Sequence, residues 1–182
     1  MIQSRRNFLR SSGLVVATGA LTACTITTNG KTTTLTLNTA KVKAYGQAGI
    51  NAVTTILSVT SIATAMGAPA VAAIEAAGVT LSASLSAFAS ETNGSLTISY
   101  DNTSAKTRVD TLLVDLNAAA VALRAGLAAA QQTVTNGVIN TAITTFNALL
   151  TVIDAFEGML GISLTSVTTT QEATALSTLA VK

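Results

Sequence analysis

Residues 42–66 read Val42-Lys43-Ala44-Tyr45-Gly46-Gln47-Ala48-Gly49-Ile50-Asn51-Ala52-Val53-Thr54-Thr55-Ile56-Leu57-Ser58-Val59-Thr60-Ser61-Ile62-Ala63-Thr64-Ala65-Met66. Within this stretch Val42, Tyr45, Gly49, Ala52, Ile56, Val59, Ala63 and Met66 recur in alternating steps of three and four, which returns them to one side of an α-helix. Ile50, Val53, Leu57 and Ile62 form a second apolar face, so this helix is expected to be enclosed on two sides. Gly67-Ala68-Pro69 ends it, because proline suits the first turn of a following helix, where its missing N–H is not needed.

The same spacing continues outward. A second helix is expected to about Ser90, with Val71, Ile74, Gly78, Leu81, Leu85 and Phe88 inward and small outer residues such as Ala72, Ala73, Ala76 and Ala83. A third begins near Ser104 as N-cap and carries Val109, Leu112, Leu116, Ala119, Leu123 and Leu127. After a break at Asn136-Gly137, a fourth carries Ile139, Ala142, Phe146, Leu149, Ile153, Phe156 and Leu160. Lys106, Arg108, Asp110, Asp115, Arg124, Asp154 and Glu157 fall beside these stripes, as solvated residues do. Thr169-Thr170-Gln171-Glu172 has the spacing of a capping box for a short terminal helix.

Upstream, Asn29-Gly30 separates two β-branched runs within residues 25–37, a strong hairpin signal, and Leu96-Thr97-Ile98-Ser99-Tyr100 alternates as a third strand. The expected fold is mainly α, a four-helix bundle-like body with a small β-hairpin or three-stranded sheet.

Composition excludes several functions. Only 10% of the 182 residues are charged and 3% aromatic, while 49% are hydrophobic. Arg5, Arg6 and Arg10 are three of the ten basic residues and precede Cys24, leaving seven against eight acidic ones. A domain so near neutrality lacks the clustered basic face that nucleic acid requires, and the loose group Lys31, Lys41 and Lys43 reads as solvated. The chain has no His, and Cys24 is its one thiol. The usual transition-metal ligands and the commonest neutral-pH general base are therefore missing. No metal or cofactor is expected, and no intrachain disulfide can form.

Ser4-Arg5-Arg6-Asn7-Phe8-Leu9-Arg10 resembles the twin-arginine (Tat) export signal, S-R-R-x-F-L-K, with Arg in the last position. Arg5, Arg6, Phe8 and Leu9 carry the resemblance. Ser11 to Ala23 is uncharged and too short to span a bilayer, which takes about 20 helical residues. Leu21-Thr22-Ala23-Cys24 resembles a lipobox, implying cleavage before Cys24 and acylation of its thiol; the competing site Thr18-Gly19-Ala20 lacks the usual A-x-A pattern. The resemblance implies residues 1–23 as a removable signal and residues 24–182 as one lipid-anchored domain in a bacterial envelope. Tat carriers export chains already folded, which suits the uncharged runs Ala44 to Ile74 and Ala125 to Ile153, easily mistaken for membrane spans while unfolded.

No catalytic constellation stands out. Asp154 and Glu157 share a helix face but lie off the apolar seam, and Asp101-Asn102-Thr103 lacks the Gly and distal Glu of a calcium loop, reading instead as a turn into a helix. The expectation is a non-enzymatic protein held to a membrane by its lipid and acting by self-association or contact with another envelope protein. The alternative is a membrane-active or pore-forming protein using the helical hairpin 44–90. Against it, Asn51, Thr54, Thr55, Ser58, Thr60 and Ser61 would each need a hydrogen-bond partner in lipid. A hydrolase working through carboxylates is the least favoured reading.

Overall fold

The computed structural model describes residues 24–29, 32–163 and 166–181. Strands β1 (Cys24–Asn29) and β2 (Thr32–Asn38) lead into helices α1 (Thr39–Ser58), α2 (Thr60–Met66) and α3 (Ala68–Thr92). Strand β3 (Thr97–Ser99) precedes α4 (Thr103–Ala130), α5 (Asn136–Met159) and α6 (Thr169–Thr178). The protein is mainly α with a small antiparallel sheet ordered β1-β2-β3.

Helices α1, α3, α4 and α5 close a four-membered ring, each packing on its two neighbours, with α1 and α4 also touching across the centre. Every residue expected on the inner stripes of the third and fourth helices is buried. On α3, Ile74, Leu81 and Phe88 are buried and Val71, Gly78 and Leu85 half-buried. The tightest approach is at α1, where a Cβ on Gly49 would stand 2.3 Å from Leu116 Cδ1 of α4 and 2.6 Å from Leu81 Cδ2 of α3. One turn earlier, Gly46 receives Leu85 and Leu112 in the same way. Both leucines at Gly49 are fully buried, so neither can swing aside into solvent.

The helix expected over 42–66 is not continuous. It bends by 89° between α1 and α2, at Val59, whose φ of −84° and ψ of 96° are extended. In the preceding turns Thr54 Oγ1 donates to the Ile50 carbonyl at 2.6 Å and Ser58 Oγ to the Thr55 carbonyl at 2.7 Å. Beyond the bend α2 crosses onto α3 and α4, and Ile62 and Met66 become buried while Val59 and Ala63 stay half-exposed.

Three boundaries also shift. The third helix is capped by Asn102, whose Oδ1 accepts from the N–H groups of Ser104 and Ala105 at 3.0 and 3.4 Å. Its acceptor reaches both orphan amides, so Ser104 falls inside the first turn. Asn136-Gly137 lies in the first turn of α5 rather than in a break, because Thr135 already takes the extended N-cap conformation. The capping box of α6 is formed by Thr168 and Gln171, one residue before the expected pair.

The sheet joins the bundle without a loop. Asn38 ends β2 and caps α1, accepting from Lys41 N at 3.1 Å, and Thr39 N donates to the Leu96 carbonyl at 3.1 Å. Asn93, with φ of 40°, and Gly94, with φ of 79°, turn the chain out of α3 toward β3.

Two glycine substitutions are expected to move stability in opposite directions. Gly49→Ala drives a Cβ into both Leu81 and Leu116, and an overpacking cost of about 1–3 kcal/mol exceeds the roughly 1 kcal/mol gained in helix propensity. Gly137→Ala meets nothing within 4 Å and gains stability by up to about 1 kcal/mol. Urea midpoints of residues 24–182 check both; an unchanged or higher midpoint for Gly49→Ala refutes the close-approach account.

Candidate functional site

Moving the α6 capping box by one residue frees Glu172 from the helix start. Thr168 Oγ1 accepts from Gln171 N at 3.2 Å, and the Gln171 side chain accepts from Thr168 N at 2.9 Å, completing the cap without Glu172. Glu172 turns inward and is buried. Its Oε1 accepts from the Tyr45 hydroxyl at 2.7 Å and its Oε2 from Lys41 Nζ at 2.8 Å. Lys41 and Tyr45 stand one turn apart on α1, and the Tyr45 ring packs 5.1 Å from that of Phe156 on α5. At the other end of α6, Asn51 Nδ2 donates to the Leu179 carbonyl at 2.8 Å. Helix α6 is thus fixed at both ends, on α1 by polar bonds and on α5 by packing. A cleft of about 400 Å³ opens beside the cluster, lined by Lys41, Tyr45, Asp154, Met159, Ser163 and Glu172.

Other polar side chains cross between helices. Ser84 of α3 donates to Asp115 of α4, and Asn117 of α4 donates to Glu157 of α5 at 3.4 Å. Asp115 and Glu157 are half-buried and so do more than solvate their helices. Asp154 lines the cleft while Glu157 reaches toward α4, so the two carboxylates serve different neighbours. At the bundle's surface Tyr100 donates to Asp110, which also takes Lys106 as an i,i+4 partner. Burial first, then the hydrogen bond to Asp110, raises the Tyr100 pKa above its ordinary value. The bonds to Asp110 and Tyr100 raise that of Lys106. Among the described residues no three of His, Cys, Asp and Glu lie together as a metal site.

Of the residues singled out by sequence, Arg5, Arg6, Phe8, Leu9, Leu21, Thr22 and Ala23 lie outside the described residues. Cys24 is the first residue of β1, its backbone opposite Leu37. Asp101-Asn102-Thr103 forms the turn into α4, as read from sequence.

The outer surface shows a second ordered feature. On α3, Ala72, Ala76, Val79, Ala83, Ser86 and Ser90 are exposed at three-four spacing. On α4, Thr107, Thr111, Val114, Ala118, Val121, Ala125 and Ala128 form a parallel seam, with Val114 at 65% and Val121 at 67% exposure. The α4 seam is masked in the sequence by the larger inward residues beside it; the same spacing, offset by two positions from Leu112, marks it. Three helical segments, Ala68–Thr92, Thr103–Ala130 and Gly137–Met159, are long and apolar enough to cross a membrane by length and composition. Comparison with known proteins gives no matching family model, no similar curated protein and no similar solved structure.

The Lys41–Tyr45–Glu172 cluster has a measurable worth. Side-chain exposures of 23% for Lys41 and 12% for Glu172 place the ion pair between surface and interior. Glu172→Ala is expected to cost about 2–3 kcal/mol, since it removes both the acceptor of the Tyr45 hydroxyl bond and the partner of half-buried Lys41, and Glu172→Gln about 1 kcal/mol. Amide exchange over residues 169–178 should accelerate in both variants. Protection unchanged in Glu172→Ala rules the cluster out as the α6 fastening.

Proposed function

We propose that the chain is a non-enzymatic, lipid-anchored protein of the bacterial cell envelope, exported by the twin-arginine route and acting by self-association or by contact with another envelope protein. The observation that supports the contact role is the pair of exposed seams on α3 and α4, whose small and β-branched residues repeat at the spacing by which helices pack on helices. Their outward apolar surface on a charge-poor chain favours a protein neighbour over bare solvent. Support for the anchor comes from the Arg5-Arg6 signal and from the one thiol lying at the end of Leu21-Thr22-Ala23-Cys24. Acyl chains there hold the domain to a membrane at about 0.8 kcal/mol per buried CH₂.

The second reading, a membrane-active protein, is favoured by the three helical segments that meet the length and hydropathy of a span. Liposome fractionation separates the two: residues 25–182 without lipid stay in the aqueous fraction under the contact reading and resist carbonate extraction under the second.

Export should fail when Arg5 and Arg6 are both changed to Lys, because the signal needs guanidinium groups and not charge alone. Precursor then accumulates in the cytoplasm, whereas normal export of this variant assigns the general secretion route. Mass spectrometry of the mature protein should find acylated Cys24, and Cys24→Ala should abolish the modification.

Self-association is checked by sedimentation of residues 25–182 with and without Val114→Glu and Val121→Glu. Both sites are well exposed, so the double variant keeps its helicity while the oligomer dissociates to monomer. An oligomer that persists in this variant removes the α4 seam from the interface.

A further inference from the structure

We propose that the end of the bundle carrying Cys24 lies flush on a lipid bilayer, with Leu96 and Ile162 entering the interface and the helices standing along the membrane normal. The proposal rests on the reading of Cys24 as the lipid-bearing residue. Its structural basis is the lack of a tether: Cys24 is already in β1, paired with Leu37, and β2 runs into α1 with no intervening loop. A lipid on Cys24 therefore holds the sheet itself at the membrane surface.

The same end presents two well-exposed apolar side chains, Leu96 and Ile162. Strands lie about 4.8 Å apart, which puts the backbones of Cys24 and Ile98, both in line with Leu37, about 10 Å apart across the sheet. Leu96 stands two residues before Ile98, beside Thr39 at the start of α1, and is 82% exposed although its carbonyl is held by Thr39 N. Ile162, 60% exposed, follows the Gly161 turn after α5. Its neighbour Ser163 lines the cleft with Lys41 of the first turn of α1, which places Ile162 at this end of the bundle. Glu91, Asp101 and Ser104 are exposed where α3 ends and α4 begins, at the same end. The opposite end is closed by α2.

The test uses the full chain, lipidated in cells and reconstituted into phosphatidylcholine–phosphatidylethanolamine vesicles that contain a lipid with a quencher at a shallow acyl position. Leu96→Cys, Ile162→Cys, Ser61→Cys and Ala72→Cys each carry an environment-sensitive fluorophore, and the mass of the mature N-terminus is read in the same preparations. Circular dichroism confirms that each variant keeps its helicity. Quenching at 96 and 162 should exceed that at 61 and 72 several-fold, and Leu96→Lys should weaken quenching at 162. Acylated Cys24 with equally weak quenching at all four sites overturns the docking and leaves the anchor standing. Probes at 96 and 162 shielded from aqueous iodide but not reached by the lipid quencher assign the end to a protein and also overturn it. Unmodified Cys24 removes both the anchor and the docking.

Discussion

The bundle depends on how closely α3 and α4 can approach α1. Gly46 and Gly49 sit one turn apart on α1, and each receives one leucine from either neighbour: Leu85 and Leu112 at the first, Leu81 and Leu116 at the second. Four branched side chains thus interlock over a strip of bare backbone. The principle repeats with the glycine on the neighbouring helix, since Gly78 of α3 faces Val53 of α1, and Gly126 of α4 faces Ile74 and Met66. With so few aromatic residues available, close approach substitutes for bulk in filling the core, and dispersion contacts grow as the separation falls. Tyr45, Phe88 and Phe156 are the exceptions, each fully buried.

A second constraint acts on the outside. Many helical hydroxyls return to their own backbone: Thr80 donates to Ala76, Ser86 to Ser82, Thr111 to Thr107 and Thr151 to Asn147. Such residues need neither water nor a partner chain, and the helix surface becomes less polar than its composition implies. The argument that Thr54 and Ser58 count against a lipid environment loses its force, because the helix itself satisfies both. Asn51 is likewise engaged, with Leu179 of the chain following α6. Side chains that bond within the helix leave the choice between a protein neighbour and lipid to the apolar residues beside them, Val79, Val114 and Val121.

The four long helices, the three-stranded sheet and the inward residues were legible because each follows from a period, a proline or an Asn-Gly pair. Helix interruptions were less so. The bend at Val59 places one extended residue inside an unbroken apolar period, which the period does not encode. The Lys41–Tyr45–Glu172 cluster was illegible for another reason: its partners lie far apart in sequence, and a one-residue shift of the α6 cap decides whether Glu172 caps or is buried. Tyr45 was read as core and Lys41 as solvated; each is only half described by that reading. The charged residues beside the stripes divide in the same way, Arg108 and Arg124 exposed, Asp115 and Glu157 bonded across helices.

The proposed export in the folded state would hide the two uncharged runs of the chain. The uncharged run from Ala44 to Ile74 is continuous only in sequence; folding breaks it at Val59 and again at Gly67, and buries Ile56, Ile62, Met66 and Ile74 among different helices. The run from Ala125 to Ile153 is divided between α4 and α5, which pack on one another. An extended chain offers both runs intact to any machinery that scans for spans of about 20 apolar residues. The folded chain offers only the outer faces, where small residues, hydroxyls bound to their own helices and scattered valines replace the leucines of a membrane anchor. What remains outside, on α3 and α4, is a surface of small and β-branched residues at the spacing by which helices pack on helices.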